Sequence, residues 1–350
     1  MGGVMRSPLN NAEKVLVVLP SWVGDLVMCT PSLRALRAAL PQARIEVLAK
    51  PALAAVLEGL SCVDASHAHM MKGWLGPCTG AGKFRAMKFN AVLLFPNSPR
   101  SALFALATGA PTRIGWGRDG RSWMLTHALK APKDRRARSA VDWYADLTAW
   151  ATQRPVTERE VRLACSDAER AAAAKLLQGL ARPIIILNPG ANRSDKRWPA
   201  QKFGQLATRL ITATKGSVAV TGSPEEKNLV SSVIVHSGNT AVNLIDRGVT
   251  LGSLKAAIAD ANLLITNDTG PRHLAAGVQT PCVSLFGPTD PRWAALHETP
   301  GSTRELQLLA EPFLPTEIIA DRVAKFCAID RIGVGDVTHA ALRLLQNFRR

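Results

Sequence analysis

The stretch KVLVVLPSWVGDLVMCTPSLRALRAAL, residues 14–40, decides the fold. Lys14–Leu19 is a short apolar run rich in valine and closed by Pro20, which reads as a buried strand. From Leu26 to Leu40 the apolar positions Leu33, Leu36 and Leu40 recur at helical spacing. A strand, a turn and a helix in that order open a βαβ unit and predict a parallel sheet. The connecting loop, Pro20-Ser21-Trp22-Val23-Gly24-Asp25, leaves the C-terminal end of the strand, where open α/β sheets bind ligands. Gly24 permits a tight turn. Asp25 sits where the helix begins and has two readings: a helix N-cap, or a carboxylate that takes a proton from a substrate hydroxyl.

Working outward, the pattern repeats. Strands are expected at Arg44–Ala49 and Ala91–Phe95, and helices at Pro51–Leu60, Ser98–Thr108 and Ala140–Ala151. A linker begins near Arg154-Pro155-Val156-Thr157, after which the alternation restarts. The second series has helices at Asp167–Leu180, Pro199–Thr212, Pro224–Val235, Leu251–Ala259 and Gly270–Ala276. Its strands are Pro183–Leu187, Ser217–Thr221, Leu263–Thr266 and Pro281–Phe286. Two α/β domains are therefore expected, residues 1–165 and 166–350, with a ligand cleft between them.

Bulk properties agree. The 350 residues are 47% hydrophobic, enough for two cores. No apolar run approaches the roughly 20 residues that cross a bilayer, and Val15–Leu19 is too short for a signal-peptide core. A cytoplasmic protein is expected. Cys29, Cys62, Cys78, Cys165, Cys282 and Cys327 are scattered with no CxxC, which points to free thiols and to neither a zinc site nor a disulfide framework. The net charge of +16 is uneven: residues 1–150 carry 19 Lys and Arg against 9 Asp and Glu, residues 151–350 carry 24 against 18. Lys83, Arg85, Lys88, Lys133, Arg135, Arg136 and Arg138 stand out in the first half. Such a field suits a nucleic acid, an acidic membrane face or a phosphorylated substrate, or serves solubility alone. Nine Phe, one Tyr and no basic–aromatic stripe argue against nucleic acid.

Three loops of the second half carry polar chemistry. Asn188–Pro199 holds Arg193, Lys196 and Arg197, cations suited to an anionic group. In Thr221–Glu226, Pro224 suits a helix start, and the Glu225–Glu226 pair either favours the first helical turn or holds ribose hydroxyls. Asn267-Asp268-Thr269-Gly270-Pro271-Arg272-His273 leaves a strand and opens a helix, whose N–H groups form an anion site with the Asp268 carboxylate beside it. His273 reads as a ligand contact or a structural histidine. Gly80-Ala81-Gly82-Lys83 imitates the end of a P-loop, but Pro77 stands at the upstream glycine position and Phe84 replaces the Ser/Thr.

In combination these loops resemble the ADP-heptose:lipopolysaccharide heptosyltransferases, inverting glycosyltransferases of family 9 with the GT-B fold. Pro20–Asp25 and Ala191–Pro199 are most similar to the heptosyltransferase II branch; Asn267–His273 and Phe286–Pro291 are similar to motifs shared more widely. The resemblance runs from about Lys14 to Val337. It implies two Rossmann-like domains facing a central cleft, with the acceptor on the first, the nucleotide sugar on the second, and the last helix, about 336–348, packing back on the first. It implies Asp25 as catalytic base and Lys196 at the donor phosphates; Ser21, Gly24 and Arg193, in the same loops, are further candidates. Glu226, or its neighbour Glu225, would meet the adenosine ribose. Asp268 would hold the heptose, with Thr269 and Gly270 beside the diphosphate and His273 close by.

The implied reaction moves heptose from ADP-heptose to the anionic inner core of lipopolysaccharide, at the inner face of the inner membrane. No metal or other cofactor is required, since ADP-heptose is a substrate. The segment Leu306–Phe326 departs from the usual pattern in length and composition, as does Leu244–Leu251. Competing expectations are a GT-B transferase for another nucleotide sugar, a nucleotide-sugar epimerase or hydrolase, and a basic nucleic-acid-binding protein.

Overall fold

The structure, a computed structural model, describes residues 7–69, 76–132, 137–287, 289–298, 303–310 and 328–348. It divides into two compact units: Met1–Val161 with Ala295–His297, and Arg162–Ala294 with Glu298–Arg350. Most of the divergent segment Leu306–Phe326 lies outside the described residues, as do Cys327, Lys133, Arg135, Arg136 and Pro288.

The first unit contains strands β1 (Lys14–Val18), β2 (Arg44–Ala49), β3 (Ala65–Ala68), β4 (Ala91–Leu94), β5 (Thr112–Trp116) and β6 (His127–Leu129). Its helices are α1 (Val23–Met28), α2 (Thr30–Ala39), α3 (Gly76–Ala86), α4 (Pro99–Ala107) and α5 (Ala140–Thr152). The six strands form one sheet in the order β3-β2-β1-β4-β5-β6, and every pairing is parallel. Between β1 and β4 the strand order reverses, which is the switch point of a doubly wound sheet. The central strands bury nearly every side chain, as a sheet covered on both faces requires.

The expected first helix is two helices. Pro31 lies in the first turn of α2 and has no N–H to continue a helix arriving from α1, so the chain breaks at Cys29. Pro51–Leu57 is likewise a 3₁₀ segment instead of an α-helix. The sequence reading missed β3, β5 and β6. These strands are short and mixed in polarity; β3 alternates half-buried and exposed positions at the sheet edge. Gly80 and Gly82, the false P-loop glycines, lie inside α3. At Gly80 a Cβ would come within 2.1 Å of the His69 ring, so close packing accounts for that glycine.

The second unit repeats the plan. Its strands are β7 (Ile184–Asn188), β8 (Ser217–Val220), β9 (Val242–Asn243), β10 (Leu263–Asn267), β11 (Cys282–Phe286) and β12 (Glu305–Leu309). Its helices are α6 (Asp167–Leu176), α7 (Ala200–Thr214), α8 (Lys227–His236), α9 (Leu251–Asp260), α10 (Gly270–Gly277) and α11 (Val334–Asn347). The order is β12-β11-β10-β7-β8-β9, again all parallel. Counted from its own first strand, this is the same topology as the first sheet, with its switch point between β7 and β10. The fully buried Lys255 on α9 meets Glu169 of α6 at 2.9 Å, so the two helices are pinned by a desolvated ion pair.

The last helix, α11, lays its apolar face into the second unit's core. Val337, Ala341 and Leu344 join Phe203, Leu206 and Leu210 of α7 and Ile265 and Val283 of the sheet. The spacing of Val337, Ala341 and Leu344 makes one helical stripe, and the strands β10 and β11 offer the nearest apolar surface to cover it. Truncating Leu344, 1% exposed, to alanine is expected to cost about 2–5 kcal/mol. Hydrogen exchange should place the loosened amides in the second unit; loosening confined to the first unit would contradict this packing.

Candidate active site

In the first unit the loop after β1 opens at the switch point. Trp22, in extended conformation, is the N-cap residue of α1, and it makes no side-chain cap hydrogen bond. Asp25 is the third residue of the helix, so the capping reading does not describe it. Its carboxylate is half-buried, and Oδ1 accepts a hydrogen bond from the Tyr144 hydroxyl at 3.2 Å. Burial pushes the Asp25 pKa up, and the Tyr144 hydrogen bond opposes that shift. Ser21 is exposed and Gly24 half-buried in the same loop. Trp22 is 60% exposed, with the Lys50 ammonium 5.9 Å from its ring centre.

The neighbouring loops are braced by an arginine the sequence reading passed over. Arg121 is wholly buried, and it donates to the carbonyls of Trp116 (3.0 Å), Pro96 (2.6 Å) and Ser98 (3.3 Å). It also donates to Ser101 Oγ (3.1 Å) and Asn97 Oδ1 (3.2 Å). All five acceptors are neutral. Burial lowers its pKa to about 10, still high enough to keep the charge at neutral pH. Gly115 leaves the room: a Cβ there would stand 3.0 Å from the guanidinium.

Three of the basic residues singled out from sequence lie elsewhere. Lys83, Arg85 and Lys88 are exposed. They precede β4, and the Met87 carbonyl accepts from Lys14 at the first residue of β1. They therefore flank the N-terminal edge of the sheet, whereas Asp25 lies beyond the C-terminal edge. Arg138 is engaged by Asp146 at 2.6 Å and Asp142 at 3.8 Å. The described cations on loops leaving the C-terminal edge include Lys50, Arg118, the buried Arg121 and Lys130.

In the second unit the switch point gathers residues from three loops. Asn188 ends β7 and donates to Thr266 Oγ1 (3.0 Å) and Thr269 Oγ1 (3.2 Å). Asn267 ends β10, donates to the Pro189 carbonyl (2.8 Å) and accepts from the Trp198 N–H (3.1 Å). Trp198, fully buried, donates its indole N–H to the Ile332 carbonyl at 3.0 Å, which anchors the end of the Asn188–Pro199 loop. With the loop so held, the Lys196 ammonium stands 3.6 Å from Asp268 Oδ2. Thr289 donates to that same oxygen at 3.2 Å, and Arg272 lies 3.6 Å from Oδ1. Arg193 is paired with Asp195 at the loop surface.

Beneath Asp268 the fully buried Arg272 grips Glu305 of β12 through two bonds, Nε to Oε1 (2.5 Å) and Nη2 to Oε2 (2.9 Å). A third reaches the Ala294 carbonyl at 2.8 Å. Thr269 is the N-cap residue of α10, and Gly270 begins the helix. The first N–H groups of a helix have no carbonyl one turn back to bond, so this end is an electropositive donor cluster beside Asp268 and Lys196. His273 is not a surface contact. It is 4% exposed, its Nδ1 has no hydrogen-bond partner among the described residues, and burial beside Arg272 lowers its pKa to about 4. It is a neutral core residue at physiological pH.

The two adjacent glutamates are placed differently. Glu225 is exposed, while Glu226 turns back to accept from the Ser223 N–H at 3.0 Å in a capping box. Its carboxylate fills the space over Gly190, where a Cβ would come within 2.2 Å of it. Gly190 and Glu226 are thus one device: the missing side chain at 190 places the carboxylate beside the loop that follows β7.

The Arg272–Glu305 pair supports this whole region, and its titration has a definite sign. Burial alone would raise the Glu305 pKa, but Arg272, Ser284 and Gln307 together hold it below the ordinary range. Its stabilisation is therefore complete above the unfolded value of about 4.3 and is lost as pH falls through the lower folded value. Glu305→Gln leaves a buried guanidinium without its counter-charge and should cost about 3–5 kcal/mol at neutral pH. Thermal melts from pH 7 to 3 should show a lower Tm for the variant and a shallower acid decline. Equal Tm values at pH 7 would contradict this account.

Comparison with known proteins converges on one family. The profile of glycosyltransferase family 9 (heptosyltransferase) matches residues 81–309. Lipopolysaccharide heptosyltransferase 2 of Salmonella typhimurium is 30% identical over 301 residues, spanning 79% of this chain and 84% of that protein. The structure of E. coli ADP-heptose lps heptosyltransferase II superposes with a TM-score of 0.80 at 25% identity, covering 95% of this chain and 99% of the other. A family 9 glycosyl transferase from Veillonella parvula gives 0.81 at 23% identity, over 96% and 97%. The α/β fold is accordingly the GT-B fold that the loop motifs implied. With the family profile spanning most of its length, this chain belongs to glycosyltransferase family 9, the heptosyltransferases.

Proposed function

We propose that this chain transfers heptose from ADP-heptose to a hydroxyl of the lipopolysaccharide inner core, as a heptosyltransferase of the second type. The observation that carries the reading is the assembly of Lys196 and Asp268, 3.6 Å apart, at the start of α10 and the switch point of the second sheet. That edge combines a cation and helix N–H groups for a diphosphate with a carboxylate for sugar hydroxyls. Glu226, beside Gly190, is the carboxylate for the ribose. Two of the relatives named above, from Salmonella typhimurium and E. coli, carry heptosyltransferase 2 or II in their names, which supports the donor and acceptor chosen here.

The reaction follows from these parts. An acceptor hydroxyl attacks the anomeric carbon of the heptose from the face opposite ADP, and Asp25 takes its proton. The bond from that carbon to the phosphate oxygen breaks, and its electron pair leaves on ADP. The transition state has oxocarbenium character. Negative charge grows on the leaving phosphate, where Lys196 and the start of α10 stabilise it in place of a required metal. The acceptor is held by the first unit, at the inner face of the inner membrane. Among the described residues no helix is long and apolar enough to cross that membrane.

Because burial raises its pKa, Asp25 is a stronger base than a surface aspartate, but it loses the ionised form at a higher pH. The acid limb of kcat/KM should therefore lie above the ordinary aspartate value of about 3.9. Asp25→Asn should bind ADP normally and lose about 10²–10⁴ in turnover. Mass spectrometry of reactions containing ADP-heptose and a heptose-deficient core acceptor reads this directly. A wild-type chain that forms no heptosylated product would sink the proposed function, and near-normal turnover by the variant would remove Asp25 from the mechanism.

Lys196→Ala removes the cation from the donor edge. ADP affinity by calorimetry should weaken by about 1.5–3 kcal/mol, with turnover falling alongside. Unchanged affinity together with unchanged turnover would show that Lys196 serves Asp268 alone.

A further inference from the structure

Asp25 has one side-chain hydrogen bond among the described residues, and it comes from Tyr144, 119 positions away on α5. Tyr144 is the chain's single tyrosine. Its ring is 9% exposed and lies 5.0 Å from that of Phe95, the residue that follows β4. Because β4 neighbours β1 at the switch point, the tyrosine is packed against the same sheet edge from which the Asp25 loop departs. A buried phenol needs a partner for its O–H, and here the partner is the carboxylate of the reaction.

We propose that Tyr144 is a positioning residue for Asp25: it anchors Oδ1 and so presents Oδ2 to the acceptor hydroxyl. This rests on the reading of Asp25 as the base. Without the anchor, a carboxylate in the first turn of a short helix samples several rotamers, only some of which reach the acceptor oxygen. The hydrogen bond also favours the ionised carboxylate against the burial that disfavours it. Tyr144 itself stays protonated, since burial pushes its pKa well above the usual phenol value. When Oδ2 takes the acceptor proton, the tyrosine proton stays where it is, and only the strength of its hydrogen bond changes.

Other groups near Asp25 do not replace it. At the α1–α2 junction, the Cys29 thiol is buried and its pKa is pushed well up, so it remains neutral. Lys50, at the head of the 3₁₀ segment, faces the Trp22 ring. On α5 itself, Asp142 is engaged by Arg159 and His297, and Asp146 by Arg138.

The single tyrosine supplies its own probe. Global incorporation of 3-fluorotyrosine labels position 144 alone, so ¹⁹F NMR of the intact chain reports the state of the Asp25–Tyr144 pair. The resonance should titrate with the midpoint of the acid limb of kcat/KM, and Asp25→Asn should abolish that titration. Tyr144→Phe should lower plateau kcat about tenfold, the loss of one hydrogen bond to a charged group. It should also move the acid limb to higher pH, because a donor to the ionised form is gone, with both KM values nearly unchanged. A resonance indifferent to pH across the acid limb would overturn the proposal, whether or not Tyr144→Phe folds. So would an unmoved limb and full rate in Tyr144→Phe alongside an inactive Asp25→Asn. Full turnover by Asp25→Asn would remove the base reading first, and the positioning role with it.

Discussion

A parallel strand cannot turn directly into its neighbour; it must cross over through a helix and start again at the same edge. That constraint places the candidate site residues of this chain. In both sheets the loops that follow the strands emerge on one edge, and at the switch points two of them diverge and leave a crevice. The Asp25 loop leaves β1 beside β4, and the Asn188 and Asp268 loops leave β7 and β10. The two units share one strand order, so the chain has used the same solution twice and filled the crevices with different chemistry.

Holding charge in those crevices requires buried support. Asp268 stands over Arg272, which is itself neutralised by Glu305 from a neighbouring part of the sheet. Asn188 and Asn267 tie the loop ends to one another through Thr269, Pro189 and Trp198, so the polar groups of this edge are largely fixed in place. Preorganised polar groups of this kind stabilise developing charge without reorganising during reaction. The first unit uses a different scheme. Among the described residues Arg121 binds neutral oxygens there, with no direct carboxylate contact beneath the Pro96–Ser98 loop. Asp25 is tuned by two opposed effects, burial and the Tyr144 hydrogen bond.

Much of this was legible in the linear chain. Short valine- and isoleucine-rich runs followed by helical spacing determine the central strands β1, β2, β4, β7, β10 and β11, because a strand buried on both faces must be apolar throughout. The loop motifs determined the family and pointed to Asp25, Lys196 and Asp268, since local chemistry at strand ends is written in consecutive residues. The edge strands β3, β6 and β9 were not legible: they are two to four residues long and owe their form to a neighbouring strand more than to their own composition.

Only the tertiary structure decided the rest. It laid the Glu226 carboxylate over Gly190, buried His273, and set α11 in the second core. It also moved Lys83, Arg85 and Lys88 to the edge away from Asp25, although in the sequence they were simply basic residues of the same half. The Tyr144–Asp25 bond, spanning 119 positions, and the Arg272–Glu305 pair, spanning 33, have no periodicity or motif that could announce them. The physical reason is range. Backbone propensity and hydrophobic period act over a few residues and are readable in order, whereas hydrogen bonds and ion pairs depend on distances in space that the packing of helices on a sheet alone sets.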